Sequence, residues 1–178
     1  MRIILATIAI ALLASPARAE VASASASAFE IKAEVEIAAA PARVWRDLTR
    51  IGRWWNDEHT YSGQGSRMQL DARAGGCWCE RWGNGQSVEH MRVVLVMEHD
   101  GVHTLRTVGG LGPMQEMGVS GVLTFTVSPH PTGAKLTMSY RVSGDPGLNL
   151  NQLAPLVDMV LMEQFGRLSR YSASGSPD

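Results

Sequence analysis

The alternation of apolar and charged positions is clearest at residues 29–37, Phe29-Glu30-Ile31-Lys32-Ala33-Glu34-Val35-Glu36-Ile37. A period of two sends successive side chains to opposite faces, so this segment predicts a strand with one face in the core and one in water. Ala40-Pro41 then opens a short helix, with proline in its first turn and Val44, Trp45, Leu48 and Ile51 at helical spacing, and Gly52 ends it. Beyond a loop carrying Trp54, Trp55 and Tyr61, alternating runs at 67–72, 77–82, 87–98, 102–108, 118–128 and 134–143 predict strands. Gly83-Asn84-Gly85 and Asp100-Gly101 read as hairpin turns, and Pro129-His130-Pro131-Thr132-Gly133 as a longer reversal, so these strands form a meander. From 151 to 171, Leu153, Val157, Val160, Leu161, Phe165, Leu168 and Tyr171 recur every three or four positions, which predicts one long amphipathic helix with Pro155 in or near its first turn. The fold class expected is α+β, a curved antiparallel sheet of about seven strands wrapped around that final helix, because this arrangement buries both apolar faces.

The ends read differently. Arg2, the apolar run Ile3 to Leu13 and the break Ser15-Pro16-Ala17-Arg18-Ala19 have the charge, length and small-residue site of a cleaved secretory signal peptide. Residues 1–19 are therefore expected to be removed after Ala19, 20–28 to be a flexible Ala/Ser leader, 29–171 to be the folded domain and 172–178 a disordered tail. The address implied is a periplasm or the cell exterior; an uncleaved membrane anchor is the weaker alternative, since the apolar run is short for a spanning helix. The full chain has 178 residues and a formal net charge of −1, and it contains no run of Lys or Arg, which excludes the electrostatic footprint of a nucleic-acid binder. The mature chain of 159 residues is large enough to bury a core without metal or disulfide staples. No stable membrane insertion of that chain is expected, and no protein partner can be read from it.

Candidate chemistry lies on the hairpin 77–92. A turn at Gly83-Asn84-Gly85-Gln86 would set Trp82 opposite Ser87, Glu80 opposite Glu89, Cys79 opposite His90 and Trp78 opposite Met91. The face carrying Trp78, Glu80, Trp82, Glu89 and Met91 continues as Val93, Leu95 and Met97 and is the expected interior. Two carboxylates about 5 Å apart in an apolar wall cannot both stay ionised, so one would be a candidate general acid or base. The alternative is a solvated pair, or one neutralised by Arg81, Arg92 or Arg106. The other face gathers Cys77, Cys79, His90 and Arg92, yet supplies no fourth ligand at a zinc spacing, so neither metal nor cofactor is expected. Extended residues two apart lie near 7 Å between Cα atoms, at the limit of a disulfide. Free thiols are the simpler reading for Cys77 and Cys79, with a strained, labile bridge as the alternative. No Gly-x-Ser-x-Gly elbow or phosphate-binding loop is present.

Several segments together carry a family resemblance. They are Val35-Glu36-Ile37 through Pro41-Ala42-Arg43-Val44-Trp45, Ile51-Gly52-Arg53-Trp54-Trp55, Gly75-Gly76-Cys77-Trp78-Cys79-Glu80, Gly109-Gly110-Leu111-Gly112-Pro113-Met114-Gln115 and Leu153-Ala154-Pro155-Leu156-Val157-Asp158. With these the chain resembles the SRPBCC superfamily of helix-grip domains, near the polyketide cyclases and the Aha-type activators of a chaperone ATPase, and looks like a secreted branch of that group. The resemblance implies a cavity between sheet and long helix that holds an apolar or amphipathic small molecule. Nine methionines and five tryptophans suit such a wall. The expected lining is Trp54, Trp55 and Tyr61 at one rim, Met114 and Met117 at the other, and Trp78, Trp82, Met91, Tyr140, Leu161 and Phe165 between them.

These readings favour storage or transfer of a small hydrophobic molecule. A cyclase- or dehydratase-like enzyme using Glu80, Glu89 or His90 is the alternative. A chaperone-ATPase activator comes third, since export would separate it from ATP. Amino-terminal sequencing of the protein from its own cells is expected to begin at Glu20, and an intact Met1 would remove both the cleavage and the compartment.

Overall fold

Eight antiparallel strands and two helices make up the computed structural model, which describes residues 18–178. In chain order these are β1 Arg18–Ser25, β2 Ala28–Ile37, α1 Pro41–Thr49, β3 Met68–Leu70, β4 Cys77–Trp82, β5 Gln86–His99, β6 Val102–Val108, β7 Ser120–His130, β8 Gly133–Ser143 and α2 Leu150–Ser174. The spatial order is β1-β2-β8-β7-β6-β5-β4-β3, an open sheet in which β2 crosses to pair with β8 and the rest is a meander. All but residues 18 and 19 of the expected signal peptide lie outside the described residues.

The segment read as a flexible leader, 20–28, is instead largely strand. It pairs with β2 from Arg18 opposite Glu34 to Ser25 opposite Ala28, which raises the count from about seven strands to eight. Its turn is closed by Ser25, whose hydroxyl accepts from the Ala28 amide at 3.1 Å. An Ala/Ser run can do this because an edge strand needs backbone pairing more than side-chain packing, and a composition reading sees only the side chains. The tail is ordered as well. Residues 172–174 continue α2, with Ser172 buried, and Gly175 terminates the helix in the left-handed conformation (φ 92°). Arg167 then holds the Asp178 carboxylate at 2.5 Å and Arg170 the Pro177 carbonyl at 2.7 Å. Pro155 stands in the second turn rather than the first, and its missing N–H leaves the carbonyl of exposed Asn151 to solvent.

The alternation of β2 is realised as expected: Phe29, Ile31, Ala33, Val35 and Ile37 are buried, opposite Val142, Tyr140, Met138, Leu136 and Ala134 of β8. The expected reversal at 129–133 tightens to Pro131-Thr132, and the run 67–72 pairs only over Met68–Leu70. α1 ends at Thr49, and a short 3-10 turn, Ile51–Arg53, leads into the aromatic loop. Gly52 has a packing reason to be glycine, since a Cβ there would stand 2.7 Å from the Met68 carbonyl oxygen.

α2 lies across β1 and β2 and against α1. Its buried stripe, Leu150, Ala154, Leu161, Phe165 and Leu168, joins Val44, Leu48 and the β2 residues in one core. α2 has no comparable packing against β4 or β5. Phe165→Ala, which empties a position only 2% exposed, should cost about 3–5 kcal/mol. Urea unfolding monitored by tryptophan fluorescence checks this, and a loss under about 1 kcal/mol would mean that Phe165 does not seal the core.

Candidate functional site

Where sheet and helix part, they leave a cavity of about 480 Å³. Leu153, Leu156, Val157, Val160 and Leu161 of α2 form one wall, and Leu111, Gly112, Pro113, Met114 and Met117 form another. Trp55, Glu58, His59, Thr60 and Tyr61 close the mouth, and His90 is the contribution of β5. Of the residues the sequence placed here, Trp55, Tyr61, Met114, Met117 and Leu161 do line it. Trp54, Trp78, Met91, Tyr140 and Phe165 belong to the packed core instead, at 2% exposure or less. Trp78 is taken up by an edge-on contact with Trp55 and an indole N–H to Met68 sulfur contact at 3.4 Å. Trp54 donates its indole N–H to the Asp47 carbonyl at 2.9 Å. Trp82 is outside the wall, stacked on Tyr61. A period-two pattern reports which face a residue occupies but not whether that face meets protein or a void at that point, so core and wall look alike in sequence. Leu153, Val157 and Val160 were legible as the helix's apolar stripe, whereas Glu58, His59 and Thr60 carry no periodic signal.

Two of the enclosing segments are fixed by named bonds. The glycine-rich loop 109–118 is pinned by Tyr140, whose buried hydroxyl donates to the Gly109 carbonyl at 3.3 Å and accepts from the Leu111 amide at 3.2 Å. Burial raises the Tyr140 phenol to about 12, so it stays a neutral donor. Gly121 makes room for it, because a Cβ there would meet that oxygen at 2.8 Å. The mouth loop is latched to α2: Glu163 binds His59 Nε2 at 2.9 Å and the Asn56 side-chain amide, Gln164 accepts from the Asn56 backbone amide at 2.8 Å, and Arg167 donates to the Trp54 carbonyl at 2.8 Å. Burial raises the Glu163 carboxyl, but the bonds from Asn56 and His59 outweigh it and leave the group below its usual value.

The hairpin chemistry differs from the sequence expectation in one respect that decides the rest. The turn is the three residues 83–85, with Gly83 and Gly85 at positive φ, so Trp82 faces Gln86, Glu80 faces Val88 and Cys79 faces Glu89. A slip of one residue exchanges the faces. A bulge then makes His90 an extra residue, and the expected pair Trp78–Met91 is restored beyond it. Glu80 and Glu89 are therefore not neighbours. Glu89 points out to solvent, paired with Arg92 and 3.7 Å from the Cys77 sulfur, and is not among the residues that line the cavity. Arg92 also donates to the Gly75 carbonyl. His90, expected on the outer face, turns inward with Met91.

The inward result is a buried pair. Glu80, fully buried, accepts from the Ser62 amide at 2.6 Å, the Tyr61 amide at 3.1 Å and His90 Nε2 at 3.1 Å. Burial alone would raise its carboxyl, yet the donors from Ser62, Tyr61 and His90 together hold it below the usual value, so it is a carboxylate. Burial lowers the His90 imidazole, against the opposing pull of Glu80, so the ring is neutral near pH 7. A carboxylate cannot donate, which fixes the proton on Nε2 and leaves Nδ1 an acceptor.

Cys77 and Cys79 are joined as a disulfide, against the preference for free thiols. The strand is kinked here, next to the register shift, and the Cα atoms are 5.3 Å apart rather than the extended ~7 Å. The sulfurs and a Glu89 oxygen lie within 4.8 Å of one another, but a disulfide offers no thiolate to a metal.

Acidification tests the pair. Since the His90 pKa is lower folded than unfolded, the unfolded chain takes up that proton first, and stability should fall as pH drops through about 6.5. The Glu80 contribution is present above about 4.5 and is lost as pH falls further. Urea unfolding across this range should show the first decline in the native chain and not in His90→Gln, and equal slopes in the two proteins would contradict the neutral, buried imidazole.

The family model for polyketide cyclase / dehydrase and lipid transport matches residues 28–173. No curated protein matches the chain. Among solved structures, a Rhodobacter sphaeroides protein is 16% identical with a TM-score of 0.54, covering 89% of this chain and 100% of its own. A norcoclaurine synthase point mutant of Thalictrum flavum, solved with a transition-state analogue, is 15% identical with a TM-score of 0.52, covering 82% and 94%. CalU16 of Micromonospora echinospora is 19% identical with a TM-score of 0.52, covering 85% and 78%. At these identities the three show the shared helix-grip fold and nothing of the chemistry. With the family match spanning the whole sheet from β2 and nearly all of α2, the chain belongs to the polyketide cyclase / dehydrase and lipid transport family of the SRPBCC superfamily.

Proposed function

We propose that this protein takes up a small hydrophobic or amphipathic molecule in the cavity between α2 and the sheet, for storage or transfer. The observation that carries the reading is the cavity itself: about 480 Å³, walled by aliphatic and methionine side chains, with a few polar groups at its mouth and His90 further in. A pocket of this size and lining covers most of a drug-sized ligand and orients it by a few polar contacts. Leu156 of the cavity lining is left 58% exposed to water, which suits passage of an apolar molecule. The family description, cyclase, dehydrase and lipid transport, is consistent with such a ligand.

A second reading, a cyclase- or dehydratase-like enzyme, is favoured by the buried Glu80–His90 pair in place of the Glu80–Glu89 pair expected from sequence. We also propose that the chain is exported and acts in a periplasm or outside the cell. Cleavage after Ala19 would leave Glu20 to Ser25 to keep the pairing of β1 with β2.

Val157→Trp fills the cavity from the helix side. Uptake of an environment-sensitive apolar dye should fall at least about tenfold, as expected when a ligand loses its site, while the stability change stays within the roughly 1–3 kcal/mol of an enlarged side chain. Undiminished dye binding would show that the cavity is not where apolar molecules enter.

A further inference from the structure

His90 is placed as few histidines in an apolar wall are. Its ring forms part of the cavity lining while Nε2 is committed to a buried carboxylate, and Nδ1 has no hydrogen-bond partner among the described residues. The Glu80 carboxylate that holds it is itself held by two backbone amides, so it does not reorient to release the ring. The cavity thus contains a fixed acceptor, with apolar walls on the helix and loop sides and Trp55, Glu58, His59, Thr60 and Tyr61 at its mouth. α2 and the 111–117 loop present Leu153, Val157, Leu161, Leu111 and Met114 to it, none of which competes for a hydrogen bond. Tyr61 lies beside the histidine, with ring centroids 5.9 Å apart and the planes tilted by 37°.

Resting on the reading of the cavity as a ligand site, we propose that Nδ1 of His90, positioned by Glu80, accepts a hydrogen bond from a weakly acidic hydroxyl, a phenol or enol, at the inner end of an amphipathic ligand. Three features require this class together. The acceptor is neutral and lacks a donor hydrogen, so it selects a donor and turns away a carboxylate or ketone oxygen. The carboxylate behind the ring raises its basicity as an acceptor, which strengthens a bond to an acidic hydroxyl more than one to an alcohol. The surrounding apolar walls exclude an extended polar chain. Glu80 acts through the imidazole and is a positioning residue.

Two probes of matched shape read the proposal, 2-naphthol and 2-methylnaphthalene, which differ in a hydroxyl against a methyl. In the native protein 2-naphthol should bind roughly tenfold more tightly, the margin of one good hydrogen bond in an apolar site. Imidazole 15N spectra of the native protein should show Nε2 protonated and Nδ1 bare. The Nδ1 resonance should move with 2-naphthol and stay still with 2-methylnaphthalene. His90→Phe should abolish the preference while 2-methylnaphthalene still binds. Glu80→Gln, whose neutral amide no longer demands the proton on Nε2, should lower the ratio of the two affinities below that of the native protein. Equal affinities for the two probes, or a proton on Nδ1 in the native protein, would overturn the assignment of His90 and leave the cavity reading in place. Failure of both probes to bind would overturn the cavity reading and this assignment with it.

Discussion

A single buried carboxylate organises the functional end of the molecule. Glu80 has no exposure to solvent and takes donors from the Tyr61 and Ser62 amides and from His90. A buried charge without partners is costly, and removing one member of a satisfied set typically costs about 3–5 kcal/mol. Glu80 therefore joins the aromatic loop to the sheet, and the same three bonds decide the protonation of His90. The position of the mouth and the chemistry inside it have one physical cause.

The void depends on where α2 packs. α2 is packed against β1 and β2 and not comparably against β4 or β5, and its residues Leu153 to Leu161 line a cavity. An unsupported gap would be filled or would collapse unless its walls were fixed from behind. They are fixed by Tyr140 under the 109–118 loop, by Gln115, which donates to the Glu89 and His90 carbonyls, and by the Glu163, Gln164 and Arg167 latch to the mouth loop. Each latch joins residues distant in sequence. The wall is rigid where it is hydrogen-bonded and adaptable where Met114 and Met117 contribute flexible thioethers.

The β4–β5 hairpin shows how little separates two different sites. A four-residue turn would have set Glu80 against Glu89 as a dyad of like charges; the three-residue turn with a bulge at His90 replaces it with a carboxylate–imidazole pair and sends Glu89 to Arg92. At the bulge consecutive residues, His90 and Met91, are both buried, where an unbroken pleat would send them to opposite faces. Bulges are known for redirecting side chains beside functional sites, and here the redirected residue is the polar one in the apolar wall.

The sequence by itself determined the fold class, because periodicity is local: the alternation of 29–37, the short strands with their turns and the helical stripe from Leu153 to Leu168 leave a wrapped helix as the way to bury both faces. It also named the residues of the mouth, Trp55 and Tyr61, and the loop Met114 and Met117. Tertiary structure alone decided the strand nature of the Ala/Ser segment, which forms by pairing with a partner rather than by its own side chains, and the separation of Trp78, Met91 and Phe165 in the core from Val157 and Leu161 at the cavity. It decided the pairing of Glu80 with His90 too. Hairpin register turns on one residue of loop length and one bulge, differences smaller than any hydrophobic pattern encodes, and a side chain's charge state follows from what register places beside it.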